Sequence, residues 1–466
     1  MNVRIKFLGG AKTVTGSKYL LEIDDYRLMI DCGLFQGLKN LRLMNWEDFP
    51  IDPTGIDAII ITHAHIDHTG YLPKLVKEGF NGVIYCTEAT ANLMEIMLID
   101  SAKLQEEEAE WAKQKGYSKH NSPQPLYGVK DAKRALLQLQ TFHYESNVAI
   151  TDSISIQFHN AAHILGSAIV EVILHGSQQN KKIVFSGDLG RKEHPLLFPP
   201  EPVKSADIIL VESTYGNREN QPINTEEILA KEINEALAKE GCVLIPSFAV
   251  GRTQLLMYYL HQLIKTKKIP SVPVYVDSPM AINVTEVYKQ NYRYHKIGKN
   301  GSEDYSFCNF PELQFYRDQE ASNSLNHIKK NAIIISASGM CTGGRILHHL
   351  YYRLANKNDT ILFVGYQAEA TRGRRILDGE ESVKIFGIHV PIKCNVREIT
   401  GLSAHADKSE LIDWLGTFEE APKKTFVVHG EEETAKQFSS TIQQELDWNN
   451  VIVPNYLESF TLFQGI

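Results

Sequence analysis

Directly after the apolar run Ala58-Ile59-Ile60-Ile61, the chain reads Thr62-His63-Ala64-His65-Ile66-Asp67-His68-Thr69-Gly70. No other stretch restricts the fold as strongly, because three imidazoles and a carboxylate crowd the end of one strand. Such a cluster cannot be hydrophobic core: unpaired polar groups, bare charges above all, are costly away from water. His63 and His65 stand two apart and so point to one side of an extended segment. Asp67 and His68 are adjacent and turn elsewhere, toward a second ion. Imidazole and carboxylate without thiolate suit Zn²⁺, with Mn²⁺ also admissible, in an open catalytic site.

Two ions need further ligands, and three residues offer them in matching surroundings. Asp31 closes an apolar strand before Cys32-Gly33, and His163 sits in Ala161-Ala162-His163-Ile164-Leu165-Gly166-Ser167. Asp188 follows Ile183-Val184-Phe185 in Ser186-Gly187-Asp188. Each is polar, beside a Gly turn or at the end of an apolar strand, where loops carry function.

The rhythm of the chain changes twice. Short alternating runs over residues 2–31 predict antiparallel strands and hairpins, and similar runs recur at 58–62, 83–86, 154–158, 168–174 and 182–186. A helix is expected over 88–113 and a loop over 114–128. From about 207, Val- and Ile-rich runs (208–211, 242–245, 273–276, 332–335, 360–364) alternate with helical patterns at 225–239, 252–265 and 280–290. That alternation implies a parallel sheet covered by helices. After about 393 short strands return around helices at 407–417 and 432–446. An α/β segment thus interrupts a β-rich one, as when one domain is inserted into another.

The order Asp31, then His63 to His68, then His163, then Asp188 resembles the ligand motifs of the metallo-β-lactamase fold. Glu212-Ser213-Thr214-Tyr215-Gly216, Ser403-Ala404-His405-Ala406-Asp407 and Val428-His429-Gly430-Glu431 are similar to the further motifs of its β-CASP branch. That branch contains RNA-processing nucleases, among them the cleavage-and-polyadenylation endonuclease and its compact bacterial relatives. The resemblance runs from Gly9 to His429. It implies an α/β architecture: an αββα metallo-β-lactamase sandwich in two parts, 1–215 and 393–466, with a β-CASP domain on a mostly parallel sheet inserted at 216–392. It implies two Zn²⁺ per chain. His63, His65 and His163 hold one ion, Asp67, His68 and His429 the other, and Asp188 bridges them. Asp31 then orients a ligand from behind, and Glu212 holds His405, the general acid. Taken alone, His405 would read as a residue at the start of a helix capped by Asp407. The chain ends at Ile466 without the long C-terminal domain of ribonuclease J, which points to the compact bacterial type.

The implied reaction is hydrolysis of single-stranded RNA, by endonuclease and/or 5′→3′ exonuclease action. Paired metals lower the pKa of a shared water and clamp the phosphate oxygens, while an acid protonates the leaving 3′-oxygen. In the inserted domain, Ser247 and Arg252, then Ser338, Gly339 and Arg345, then Arg372 with Arg374 and Arg375, follow strands and precede helices. Backbone N–H groups and guanidiniums at such junctions suit phosphates. Phe248 is expected mainly as a core aromatic, with stacking on a base as its alternative role. The alternative, a hydrolase of a small ester, thioester or lactone, explains the ligands but leaves the insertion and its loops without a purpose.

Composition bounds how RNA could bind. With 48 Lys+Arg against 56 Asp+Glu the formal charge is −8, so there is no whole-molecule attraction to phosphate, and contact must be local. The six cysteines are scattered singly, as in a reduced, cytoplasmic protein. No apolar run is long enough to span a membrane, and the N-terminus reads as a strand rather than a signal peptide. A homodimer is left open.

Overall fold

The computed structural model describes residues 1–115, 123–177, 179–220, 224–298 and 305–466; the part of the expected loop at 116–122 lies outside them. The chain forms two compact units, Met1–Glu219 with His405–Ile466, and Asn220–Ala404.

In the first unit, β1 (Val3–Gly9), β2 (Lys18–Ile23) and β3 (Tyr26–Ile30) run antiparallel. They continue in parallel through β4 (Ala58–Ile60), β5 (Val83–Thr87) and β6 (Leu139–Phe142). The C-terminal strand Ser459–Phe463 closes the other edge against β1. A second sheet joins β7 (Asn147–Thr151), β8 (Ile154–Asn160), β9 (Ala168–His175) and β10 (Asn180–Phe185) antiparallel. Next to β10 come β11 (Ile208–Glu212), Lys424–Val428 and Val451–Ile452, all parallel.

The inner faces of the two sheets share one core. Phe7, Ile30, Ile60, Phe158, Val170, Phe185 and Phe426 are all buried in it. Helices Lys408–Leu415 and Glu432–Leu446 cover the outer face of the second sheet through Trp414, Leu411 and Phe438. β4 is buried along its whole length, which explains why it reads as unbroken hydrophobic sequence rather than alternation.

The second unit holds a fully parallel sheet: β12 (Cys242–Pro246), β13 (Val274–Asp277), β14 (Leu313–Phe315), β15 (Ala332–Ser336) and β16 (Thr360–Phe363). Its order is β14-β13-β15-β12-β16, with Asn395–Glu398 on the far edge. That edge strand pairs with β16, so the second unit runs to Ala404 instead of the expected 392. The short strand β14 and the hairpin Ser382–Pro391 carry too little pattern to be read in advance. Among the described residues, no helix is long and apolar enough to cross a membrane.

Phe426 tests the shared core of the first unit. Its ring lies 5.1 Å from Phe7 and 5.0 Å from Phe460 and is fully buried. Phe426→Ala should cost about 3–5 kcal/mol, read as a lower urea midpoint of the first-unit transition.

Candidate metal centre

The segment after β4 turns into a single helical turn, Ile66–Thr69, strapped on one side by backbone bonds. Ser17 N–H donates to Asp67 O at 2.9 Å, Cys32 N–H to His68 O at 2.7 Å and Leu34 N–H to Ile66 O at 3.0 Å. The approach is too close for a side chain at Gly33, where a Cβ would lie 1.6 Å from Asp67 O. Lys18 braces the strap, its buried ammonium donating to the carbonyls of Gly16 (3.0 Å) and Gly33 (2.7 Å). Asp31 and His429, each just beyond a strand end, adopt left-handed backbone with φ of 60° and 48°. Such strain persists only where the surroundings enforce it, and it gathers at functional sites.

These elements bring together two groups of donors, each with its ligand atoms within 4.8 Å of one another: His63, His65, His163 and Asp188, then Asp67, His68 and His429. His65 Nδ1 lies 3.1 Å from both His63 Nε2 and His163 Nε2. His68 Nε2 and His429 Nε2 are 3.2 Å apart, and Asp67 Oδ2 is 3.5 Å from His429 Nε2. Asp188 stands between the groups. Its Oδ2 is 3.4 and 3.6 Å from His63 and His163, and its Oδ1 is 3.3 and 3.2 Å from His68 and His429. Asp31 lies behind, taking His68 Nδ1 at 2.7 Å and both donors of Thr62, so His68 Nε2 is aimed at Asp188.

The donor set fits divalent cations. Burial, followed by neighbouring imidazoles, pushes His63 and His163 well below the ordinary histidine range, and burial also lowers His65. Their lone pairs are therefore available for coordination. Burial opposes the charge on Asp188, but His429, His68 and His63 outweigh it and hold this carboxyl well below its usual range. Buried Asp188 Oδ1 nonetheless takes no hydrogen bond. Histidine nitrogens converging from two sides on a buried carboxylate with an unbonded oxygen make a donor set suited to divalent cations.

A third group joins Asp188, Glu212 and His405. The Glu212 carboxylate ends β11 fully buried, accepting Leu189 N–H at 2.7 Å and Thr214 N–H at 3.1 Å, and it faces His405 Nδ1 at 3.2 Å. Gly190 and His405 form a lone β-bridge that fixes the imidazole's backbone. Burial works to lower the His405 pKa; the charge and hydrogen bond of Glu212, with Asp188 and Asp67 beyond, overcome it and raise it to about 9. Thr62 and Thr214, whose hydroxyls lie 3.1 Å from the Nδ1 atoms of His63 and His429, were not singled out from sequence. Thr62 adjoins His63 in sequence, whereas Thr214 adjoins no ligand and carries no such signal.

The residues expected to bind RNA lie in the second unit, after adjacent strands β15, β12 and β16, but their guanidiniums are engaged within the protein, those of Arg374 and Arg375 in exposed surface pairs. Arg252 donates to Val364 O. Arg345 binds Asp277 at 2.7 Å and Tyr316 O at 2.8 Å, and Arg372 donates to Lys384 O at 3.0 Å and to Cys341 O. Arg374 and Arg375 pair with Asp378 and Glu380. Ser247 is buried, Ser338 is partly exposed and bonded to Thr342, and Gly339 is buried. Phe248, expected in the core, is instead exposed.

The arrangement defines a metallo-hydrolase class, and comparison agrees. Residues 13–222 match the metallo-beta-lactamase superfamily, 253–376 the Beta-Casp domain, and 389–454 the Zn-dependent metallo-hydrolase RNA specificity domain. The chain belongs to the β-CASP branch of the metallo-β-lactamase superfamily. It is 36% identical over 434 residues to Ribonuclease TTHA0252 of Thermus thermophilus, covering 92% of this chain and 94% of that one. An RNase J-like protein of Methanocaldococcus jannaschii is 32% identical, with 98% of each chain covered. Transcription termination factor FttA of the same organism is 30% identical over 95% of this chain and 69% of its own. A crystal structure of a protein of unknown function from Enterococcus faecalis V583 shares the fold, at TM-score 0.55 and 12% identity over 99% of this chain and 100% of that one.

Because the buried donors are electrostatically incomplete by themselves, bound cations should stabilise the first unit. Thermal melting in chelator and in Zn²⁺ should differ, by about 2.7 kcal/mol at a hundredfold excess over Kd; coincident curves would contradict the assignment.

Proposed function

We propose that the chain is a metal-dependent ribonuclease hydrolysing phosphodiester bonds of single-stranded RNA, as endonuclease and/or 5′→3′ exonuclease. One observation carries the reading most directly: a histidine of raised pKa, held by Glu212, stands 4.0 Å from the central Asp188. The names of two relatives, ribonuclease and RNase J-like protein, point the same way. His63, His65 and His163 would hold one cation and Asp67, His68 and His429 the other, with Asp188 between them. Zn²⁺ suits these borderline donors best, and Mn²⁺ is the second choice. Cations held there would supply Lewis acidity and lower the pKa of bound water toward neutrality.

The chain's own residues supply the rest. A 3′-alkoxide is a poor leaving group, so proton donation to it is worth roughly 10²–10⁴-fold. With Nδ1 turned to Glu212, His405 presents Nε2 as the atom that gives up the proton, leaving 3′-hydroxyl and 5′-phosphate ends. Asp31 keeps His68 in one orientation. The thiolate of a small thioester leaves more easily than a 3′-alkoxide and has less need of an acid, so a phosphodiester accounts for more of the site than a thioester does.

Metal analysis should find about two divalent ions per chain. His405→Ala should retain them and lose RNA cleavage by the factor above; cleavage at the wild-type rate would remove His405 from the acid role. His405 is in its acid form below its pKa and loses it as pH rises toward 9, and bound cations act in the opposite sense to Glu212. The alkaline limb of the pH–rate profile should therefore lie at or below 9, and Glu212→Gln should shift it to lower pH. An unmoved limb would separate Glu212 from His405.

A further inference from the structure

In the second unit, the edge formed by the ends of β15, β12 and β16 reverses the ordinary placement of side chains. Its polar groups point inward and its rings outward. Arg252 donates to Val364 O, tying the loop after β12 to the loop after β16. Buried Gln367 donates to the carbonyls of Gly339 and Gly365, each at 3.0 Å, which ties in the loop after β15. Buried Thr253 fixes the backbone of Phe248 through a hydroxyl bond to its carbonyl at 2.8 Å. Against these clamps, Phe248 is 41% exposed and Tyr366 43% exposed.

The two rings follow the ends of neighbouring strands. β12 and β16 are parallel neighbours, with Leu244 opposite Ile361, so Phe248 and Tyr366 stand just beyond adjacent strand ends, where strands are about 4.8 Å apart. Gly339 backs the first ring: a Cβ there would come within 3.1 Å of it. The neighbouring aliphatic residues Ala249, Val250 and Val364 are buried, so the edge offers aromatic rings among backbone polar groups. A protein partner would favour a contiguous apolar patch. Exposed rings on a rigid polar support suit planar, polar-edged bases, and every base has a face on which to stack.

We propose that Phe248 and Tyr366 form a base-stacking platform for single-stranded RNA, tolerant of sequence. The proposal rests on the ribonuclease reading and names how that substrate is held. Stacking replaces the guanidinium–phosphate contacts that the engaged arginines do not provide.

The test uses the full chain carrying His405→Ala, so that RNA stays intact, and measures dissociation constants by fluorescence anisotropy. The probes are a single-stranded RNA oligomer and a strand of equal length lacking bases. Phe248→Ala and Tyr366→Ala should each weaken binding of the intact strand about tenfold and leave the abasic strand unaffected. Phe248→Trp, which keeps a stacking face, should bind as the parent does and guards against a misfolded alanine variant. Equal loss for both strands, or no loss for either, would overturn the platform. A parent that binds both strands alike would also overturn it while sparing the ribonuclease reading. A parent that binds neither strand overturns that reading too.

Discussion

The first unit is organised around one buried carboxylate. Asp188 is 1% exposed, and both of its oxygens face histidine nitrogens, Oδ2 toward His63 and His163, Oδ1 toward His68 and His429. Those histidines do not come from one sheet. His63 and His68 follow β4 of the first sheet, while His163, Asp188 and His429 follow strands of the second. The Asp188 geometry therefore holds only if the two sheets keep their spacing, and that spacing is set by the aromatic and aliphatic layer between them. Core packing and site geometry are one constraint in this unit, which is why large-to-small changes in that layer act on both.

The same unit shows how an imidazole is kept basic beside other imidazoles. His163 and His405 have ring centroids 4.4 Å apart, yet their pKa values move in opposite directions. Burial and its neighbour's charge drive His163 down, whereas Glu212 holds His405 up. The difference is one carboxylate at the end of β11, which backbone N–H groups of Leu189 and Thr214 orient. Donor and acid can then share a pocket without exchanging roles, a separation of pKa values that acid–base sites require.

The convergence of these histidines and aspartates was legible in the sequence because polar residues at the ends of fully apolar strands are costly to bury unpaired. Side-chain direction was not legible. Arg252, Arg345 and Arg372 sit at the expected strand–helix junctions, but irregular loops leave carbonyls such as Val364 O, Tyr316 O and Cys341 O without ladder partners. Guanidiniums with several donors meet that local demand. A sequence shows that a cation is near a loop, not whether the loop needs it. Phe248 is the converse: an aromatic reads as core by composition, and only the clamps made by Thr253, Arg252 and Gln367 show that its backbone is held without its ring being buried. The later boundary at Ala404 followed from a short edge strand, Asn395–Glu398, whose pairing partner lies well before it in the chain.

The engaged arginines also change what the net charge of −8 implies. A basic groove would have offset the acidic surface locally and drawn phosphates by long-range attraction. Here Arg345, Arg374 and Arg375 are matched by Asp277, Asp378 and Glu380, whereas Arg252 and Arg372 bond to backbone carbonyls, so the positive field of the loop edge is partly neutralised. Stacking on exposed rings is short-ranged and depends on bases rather than on charge. It selects a strand whose bases are free and passes over paired duplex, whose bases are already stacked. An acidic protein that recognised single-stranded RNA through its bases would avoid the nonspecific coating of nucleic acid that a basic one suffers, so with the proposed platform the acidic balance and the outward rings would serve the same discrimination.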